Sequence, residues 1–527
     1  MKRKTSMMLI LLSLSVLFAA GQSSSFDNVL NFQNRGSGYI FENNQIKGYY
    51  MFYRVDKVAK KTFSYQLRIL DQNMQEAVST TMERPKYFYL VESTFNGNAF
   101  MFLYYDRKEK AFELVTYNKQ AQQISSKRYS KLRNQDIQLY TAYGMLSDEA
   151  SNPSIYPVGN RGFLRTSLKT RGMRSGYRLE YLSNDLSESE SWSIGTPEDS
   201  KMIEFATVSS VTEDYATVIV VRRKGAMSKD FKYFVQLLDL HTGEIAFEEA
   251  LSRKDHNYSV QFCTYDPEGD QMILMGNYYD VGDKALKGKS KGLYAMSLDT
   301  NGEQRNLELI SWGKDIAQYL DVNEKGRLDE GGWITVHRIV RASDGKMYAI
   351  GEEFKKAVSK AGVALNVLSA AGGGSGSGVA NIKAVVKDMV IFELGEDLAL
   401  QDVQVFEKRH NNVLLPQGYG LMGPGMLAYF MKLVGWFDYS YTQQSEDKDM
   451  FYSTYFSKVK EEGQRKKTPI FGVIIRDDVG DFSVDQINLE TEASEMWVMP
   501  AKSGYVAIWE YFNKAQKVDV RLEQVNY

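Results

Sequence analysis

The chain has 527 residues, 43% hydrophobic and 25% charged, a globular balance that argues against global disorder. With 64 Lys and Arg against 66 Asp and Glu it lacks the basic footprint of a nucleic-acid binder. Its one cysteine, Cys263, excludes an intramolecular disulfide and a cysteine metal cluster.

The first element is a targeting signal. "MKRKTS" is a charged stretch, "MMLILLSLSVLFAA" an apolar one, and Ala19 and Gly21 are small residues at the −3 and −1 positions of a cleavage site. The apolar run is short for a transmembrane helix. It reads as a secretory signal peptide over 1–21, cut after Gly21, leaving 22–527 as a single exported domain. No later apolar run is long enough to span a bilayer, so no membrane span is expected.

"SSSFDNVLNFQN" (23–34) follows as a strand-sized piece with no partner nearby. From residue 39 a repeat begins. Its most regular part is an aromatic or β-branched run that ends in an Asp or Asn turn: "FSYQLRILD" (63–71), "AFELVTYN" (111–118), "GYRLEYLSN" (176–184), "KYFVQLLDL" (232–240), "GLYAMSLDT" (292–300), "DMVIFELGE" (388–396), "PIFGVIIRDD" (469–478) and "VDVRLEQVNY" (518–527). A second apolar strand precedes each copy, and a shorter one, such as "YFYLVESTF" or "WITVHRIV", precedes most pairs. After the first seven pairs comes a polar strand suited to an exposed sheet edge. Four antiparallel strands repeated eight times predict an all-β fold, an eight-bladed β-propeller, with seven blades as the alternative count. The last copy lacks its outer strand, and 24–33 is predicted to supply it by pairing antiparallel with 517–526.

Two long spacings predict insertions, at about 354–387 in blade six and 409–435 in blade seven. Residues 355–371 ("KKAVSKAGVALNVLSAA") and 425–435 ("GMLAYFMKLVG") have helical apolar spacing. The two insertions are expected to share one face. Next to the second lies the aromatic cluster "GWFDYSYT" (435–442). Tyr419, Tyr429, Trp436, Phe437, Tyr439 and Tyr441 are the candidate binding residues, because tyrosine and tryptophan combine large contact area with a polar handle. The competing reading is core packing beneath a covering helix.

Signals for chemistry are sparse. The four histidines, His241, His256, His337 and His410, have no metal-ligand spacing; His337 lies in an inner strand and the others in turn-like segments. "GGGSGSG" (372–378) lacks the Lys-Ser/Thr of a phosphate loop and reads as a linker. "KALKGKSKG" (284–292) reads as a solvated hairpin loop. "DVNEKGRLDE" (321–330) has Lys325 where a calcium loop needs an oxygen, and reads as a polar turn. Adjacent carboxylates such as Glu352 and Glu353 point to opposite faces of a strand. No catalytic residue, metal site or cofactor is expected.

The repeat resembles β-propellers generally, without the Gly-His and Trp-Asp pairs of WD40 units. The signal ending "AAGQ", the Tyr-rich strands and the lysine-rich loops resemble uncharacterised exported propellers of Bacteroidota bacteria. That resemblance implies an envelope location and no known activity. The expectation is a monomeric periplasmic or cell-envelope binding scaffold whose partner is a protein or glycan of the envelope. The alternative is a propeller enzyme acting on glycans, with carboxylates at the central channel.

Overall fold

Eight antiparallel sheets, seven of four strands and one with a fifth, succeed one another along the chain, the architecture of an eight-bladed β-propeller. The description rests on a computed structural model and covers 22–525, apart from 43–44, 131, 133–152, 172–173, 226–227, 229–230, 284–288, 329–331, 359–381, 417–418, 420–421, 460–467 and 490. The signal-peptide segment, part of the basic loop, the glycine-rich linker and most of the first helical expectation lie outside the described residues. Where that expectation is described it is corrected, because the strand Met347–Val358 runs through Lys355–Val358.

The sheets fall into two compact units. One holds blades one, two and eight; the other holds blades three to seven. In each blade the strands pair in sequence order, and the two middle strands are apolar and buried. Ala99–Asp106 of blade two, for instance, is buried at every position. The outer strands alternate in exposure or face solvent, as Glu76–Pro85 does. Cores form between successive sheets. Phe52, Phe100, Phe102 and Tyr104 join blades one and two, while Met275, Val336, Ala349 and Phe392 join blades five and six. Each fully buried side chain of this size contributes about 1.5–3 kcal/mol relative to exposure.

The Asp/Asn signal has a concrete geometry. In the seven blades whose third and fourth strands are contiguous, a carbonyl at the end of the third strand accepts a turn N–H. The pairs are Asp71–Met74, Asn118–Ala121, Ser183–Leu186, Asp299–Gly302, Gly395–Leu398 and Asp477–Gly480, with a one-residue-longer turn at Asp239–Gly243. The acceptor side chain, where it is Asp or Asn, also takes backbone N–H groups two and four residues on, as at Asp71 and Asp477. The last residue of each turn has positive φ. Four of these residues are not glycine. Met74, Ala121, Leu186 and Leu398 are buried, so packing offsets a left-handed conformation that costs about 1–2 kcal/mol.

Blade eight takes its outer strand from the other end of the chain. Ser23–Phe26 pairs antiparallel with Lys517–Gln524, in the register Ser23 to Arg521 and Phe26 to Val518. The predicted pairing of 24–33 is too long. After Phe26 the chain leaves the ladder at Asn28, which has positive φ. It then binds blade one through Leu30 N–H to the Arg54 carbonyl and Arg54 N–H to the Asn31 carbonyl. The physical reason is Phe32. Its ring is buried among Tyr53, Trp497, Trp509 and Tyr511 at centroid distances of 5.1–6.3 Å, which only a segment crossing between blades can reach.

Phe32→Ala should therefore destabilise the chain by about 3–5 kcal/mol, the usual range for a buried Phe, as read by urea denaturation. Deleting 23–33 should in addition bare the Lys517–Gln524 edge and cause self-association, visible by light scattering. A deletion variant as stable and as monodisperse as the parent would contradict the role assigned to this segment.

Candidate functional site

Blade six departs from the repeat. Its middle strands, Met347–Val358 and Ile382–Leu394, run past the end of the inner strand, and a fifth strand, Asn411–Leu414, pairs with the extension in the register Lys383 to Leu414. The ladder is interrupted at one height on three strands: at Glu352/Phe354, at Val386/Met389, and between Phe406 and Asn411. Charged side chains occupy the gap. Glu352 and Glu353 do point to opposite sides: Glu353 meets Lys387 at 3.1 Å, and Glu352 meets Lys408 at 3.1 Å.

The second insertion forms the helix Pro424–Leu433, close to the span predicted for it. Pro424 at its first position suits a helix start. It stops at Gly435, φ +67°, where Gly435 N–H bonds the Lys432 carbonyl and Trp436 N–H bonds the Met431 carbonyl, a Schellman cap. Leu427, Ala428 and Met431 pack against Phe354, Ala384, Val386 and Phe437. Lys356 Nζ bonds the Met422 carbonyl at 2.9 Å. The described ends of the first insertion thus share a core with the second.

Lys432 lies four residues after Ala428, on the buried side of the helix. Its ammonium donates to the carbonyls of Gln261 and Val336, both at 2.8 Å, on the inner strands of blades five and six. Both carbonyls flank β-bulges that interrupt the ladder. Burial pushes the Lys432 ammonium down to about 8. Tyr429, one turn earlier, is half-buried with its phenol hydrogen-bonded to Thr207 of blade four and pushed up by the desolvation there.

Beneath the helix, Lys408 bridges Asp438 Oδ2 at 2.6 Å and Glu352, and Asn411 Nδ2 donates to Asp438 Oδ1 at 2.8 Å. Glu352 Oε2 accepts the Tyr439 N–H at 3.3 Å. Burial raises both carboxyls, Asp438 up to about 6, against the pull of Lys408. His337 Nε2 sits 3.4 Å from Glu352 Oε2. Burial, reinforced by Lys432 and Lys408, holds this imidazole well below its ordinary value, so it is neutral and the contact is not an ion pair. Its ring stacks on Tyr439 at 4.9 Å and meets the Phe437 ring at 4.8 Å. These ionisable groups are buried and tied to one another, two carboxyls sharing one ammonium, which suits holding the insertions in place.

The six predicted binding residues divide accordingly. Phe437 is core, and Tyr439 and Tyr429 are packed inward by His337 and Thr207. Tyr441 sits half-buried on the inner strand of blade seven. Tyr419 and Trp436 are half-buried and face one another at 6.0 Å, with the Phe430 ring 5.5 Å from Tyr419. The sequence reading missed Lys408, Lys432 and Phe430. A lysine on the apolar stripe of the helix was the available signal. His256, read as turn-like, instead begins the strand His256–Asp266.

Because Lys432 loses its proton near 8 in the folded chain and at 10.5 ordinarily, the unfolded state binds more protons between these values. Stability should rise with pH across that window. Lys356, also pushed down by burial, adds a contribution of the same sign, while Cys263, pushed up to about 11 from 9.0, opposes it from about pH 9 and the buried tyrosines from about pH 10. Thermal unfolding from pH 7.5 to 9 should show this rise, and Lys432→Met should flatten it to the Lys356 remainder. An unchanged slope in the variant would contradict a buried ammonium.

Among solved structures the chain is similar to the WD40 domain of SCAP from fission yeast, at 10% identity over 90% of this chain and 94% of that one, TM-score 0.32. It is also similar to a post-proline cleaving enzyme from Rickettsia typhi, at 8% identity over 91% and 58%, TM-score 0.37. A third is a putative dipeptidyl aminopeptidase IV from Bacteroides ovatus, at 10% over 63% and 46%, TM-score 0.32. The chain spans about half the length of these last two. No curated protein matches it. The one match that names a family covers residues 1–526, and by it the chain belongs to the family of unknown function DUF6770.

Proposed function

We propose that this chain is an exported binding scaffold of the bacterial cell envelope, working as a monomer and taking a protein or glycan of the envelope as its ligand. The basic and apolar stretches before Gly21 support export, with 22–527 as the mature domain, and the style of the sequence supports a Bacteroidota source. No helix among the described residues is long and apolar enough to cross a membrane.

The observation that carries the reading is the half-buried trio Tyr419, Phe430 and Trp436. Their rings are held by a helix whose opposite face is locked into the interior by Lys432 and Tyr429. Rigid aromatic anchors of this kind dominate binding energy in recognition surfaces. The aromatic reading thus contracts from the six residues first considered to Tyr419 and Trp436, with Phe430 added.

Immobilised mature protein should capture its ligand from envelope extract. Trp436→Ala should weaken that capture by about 2 kcal/mol, roughly thirtyfold, with a smaller fall in melting temperature than Phe437→Ala gives, since Trp436 is only partly buried against the core that holds Phe437. Competition by the protease-treated glycan fraction of the extract separates a sugar ligand from a protein. Capture unaffected by Trp436→Ala and Tyr419→Ala together would remove the basis of the reading.

A further inference from the structure

The inner strand of blade six, Trp333–Arg341, has a ladder partner along one edge only. Its faces are covered: Ile334, Val336 and Ile339 belong to the core shared with blade five, and Val340 to the core shared with blade seven. Arg338 is the one exposed residue of this strand. With both faces covered, the free edge is the way out for its side chain. The bulge that leaves His337 out of the pairing, between Val336 opposite Gly351 and Arg338 opposite Ile350, sets this direction.

The guanidinium lies 5.5 Å from the Phe262 ring of blade five. It is also close enough to the Tyr439 phenol of blade seven to oppose the rise that burial gives that group. Among the described residues no carboxylate pairs with it, whereas Arg222, Arg341 and Arg476 each hold one. Residues at partial exposure on the neighbouring inner strands, Thr207, Ser209, Gln261, Thr264 and Thr442, are uncharged. The other cation at these edges, Lys432, is engaged by two carbonyls.

A chain of hydroxyls ends at the same place. Tyr439 Oη lies 3.0 Å from Thr442 Oγ1, which lies 2.9 Å from Ser453 Oγ. Three hydroxyl protons serve two internal hydrogen bonds, so one proton is left to donate. With Ser453 donating to Thr442 and Thr442 to Tyr439, that proton is the phenol's, on the side of Arg338.

We propose that Arg338 and the Tyr439 phenol bind an oxyanion, the carboxylate or phosphate of a small anionic ligand, at the free edges of blades six and seven. The planar guanidinium fork matches two oxygens of either group, and its weak hydration lowers the cost of meeting them. The phenol supplies a third donor. Phe262 fixes the fork from one side.

Calorimetric titrations at constant ionic strength with inorganic phosphate and with glucuronate test the proposal. Saturable binding of at least one probe is expected. Arg338→Gln should weaken it about tenfold or more, and Tyr439→Phe about threefold, the scale of a charged and of a single hydrogen bond. Trp436→Ala should leave it unchanged, so this result stands apart from that of envelope capture. Tighter phosphate binding assigns a phosphorylated ligand; tighter glucuronate binding assigns an acidic sugar. Binding of neither probe, or wild-type affinity in a folded Arg338→Gln variant, overturns the proposal. Should that variant not fold, Arg338→Lys decides: it keeps the charge and loses the fork, and undiminished affinity would overturn the assignment.

Discussion

The inner strand of each blade has an edge with no neighbouring strand, and the amides along that edge must still be satisfied. In the five-blade unit, side chains of the preceding blade do this. Ser209 Oγ of blade four accepts the Cys263 N–H of blade five at 3.0 Å. Gln261 Oε1 of blade five accepts the Val336 N–H of blade six at 2.7 Å, and Glu352 of blade six accepts the Tyr439 N–H of blade seven. Ser209 and Gln261 are the residues left unpaired by β-bulges at matching positions of their strands. A bulge frees one residue from the ladder and turns it toward the next blade. These two bulges are therefore a working part of the repeat: each joins one sheet to the next by a hydrogen bond that the sheets' apolar faces cannot supply.

Blade six meets the same need without a bulge residue: its acceptor is Glu352, a carboxylate on a middle strand. A buried Glu352 would be costly alone, and breaking a buried ion pair usually costs about 3–5 kcal/mol. Lys408 supplies the countercharge, and it reaches Glu352 because the outer strand breaks between Phe406 and Asn411. Asp438 shares the same ammonium, with Asn411 as its second partner, and draws the start of blade seven into the group. His337 stays neutral between two lysines. The polar interior under the helix is thus explained step by step from one amide that needed an acceptor. Glu352 and Asp438 are each committed to Lys408, which counts against the carboxylate arrangement that a glycan-cleaving reading of the sequence would need.

Much of the fold was legible because the repeat is written in local chemistry. Asp71, Asn118, Asp239, Asp299 and Asp477 mark strand ends by bonding their own turns, and such bonds need nothing from the rest of the chain. The strand supplied by residues 23–26 was legible for the opposite reason, since an apolar strand without a polar outer partner is conspicuous. What was not legible depends on meetings between distant segments. Phe32 looked like a continuation of the same strand, and only four aromatic rings from blades one and eight show why the chain turns away. Tyr439 and Trp436 read alike in "GWFDYSYT". The Schellman cap at Gly435 turns one toward Tyr419 and the other stacks on the His337 ring, and His337 is about a hundred residues away in sequence.

The helix Pro424–Leu433 links these interior contacts to the surface. A ten-residue helix is marginal by itself, and its first turn has no side-chain cap. Its order must come from what it docks on: Leu427, Ala428 and Met431 against blade six, Tyr429 against blade four, and Lys432 on two carbonyls of blades five and six. Three blades thus hold one short helix. Phe430 and Trp436 inherit that rigidity, since Phe430 lies between Tyr429 and Met431 and Trp436 closes the cap on the Met431 carbonyl. An aromatic surface held this way loses little side-chain freedom on meeting a ligand, so more of its contact energy is available for binding. Lys432 and Tyr429 act through the helix, by fixing where the half-buried rings stand.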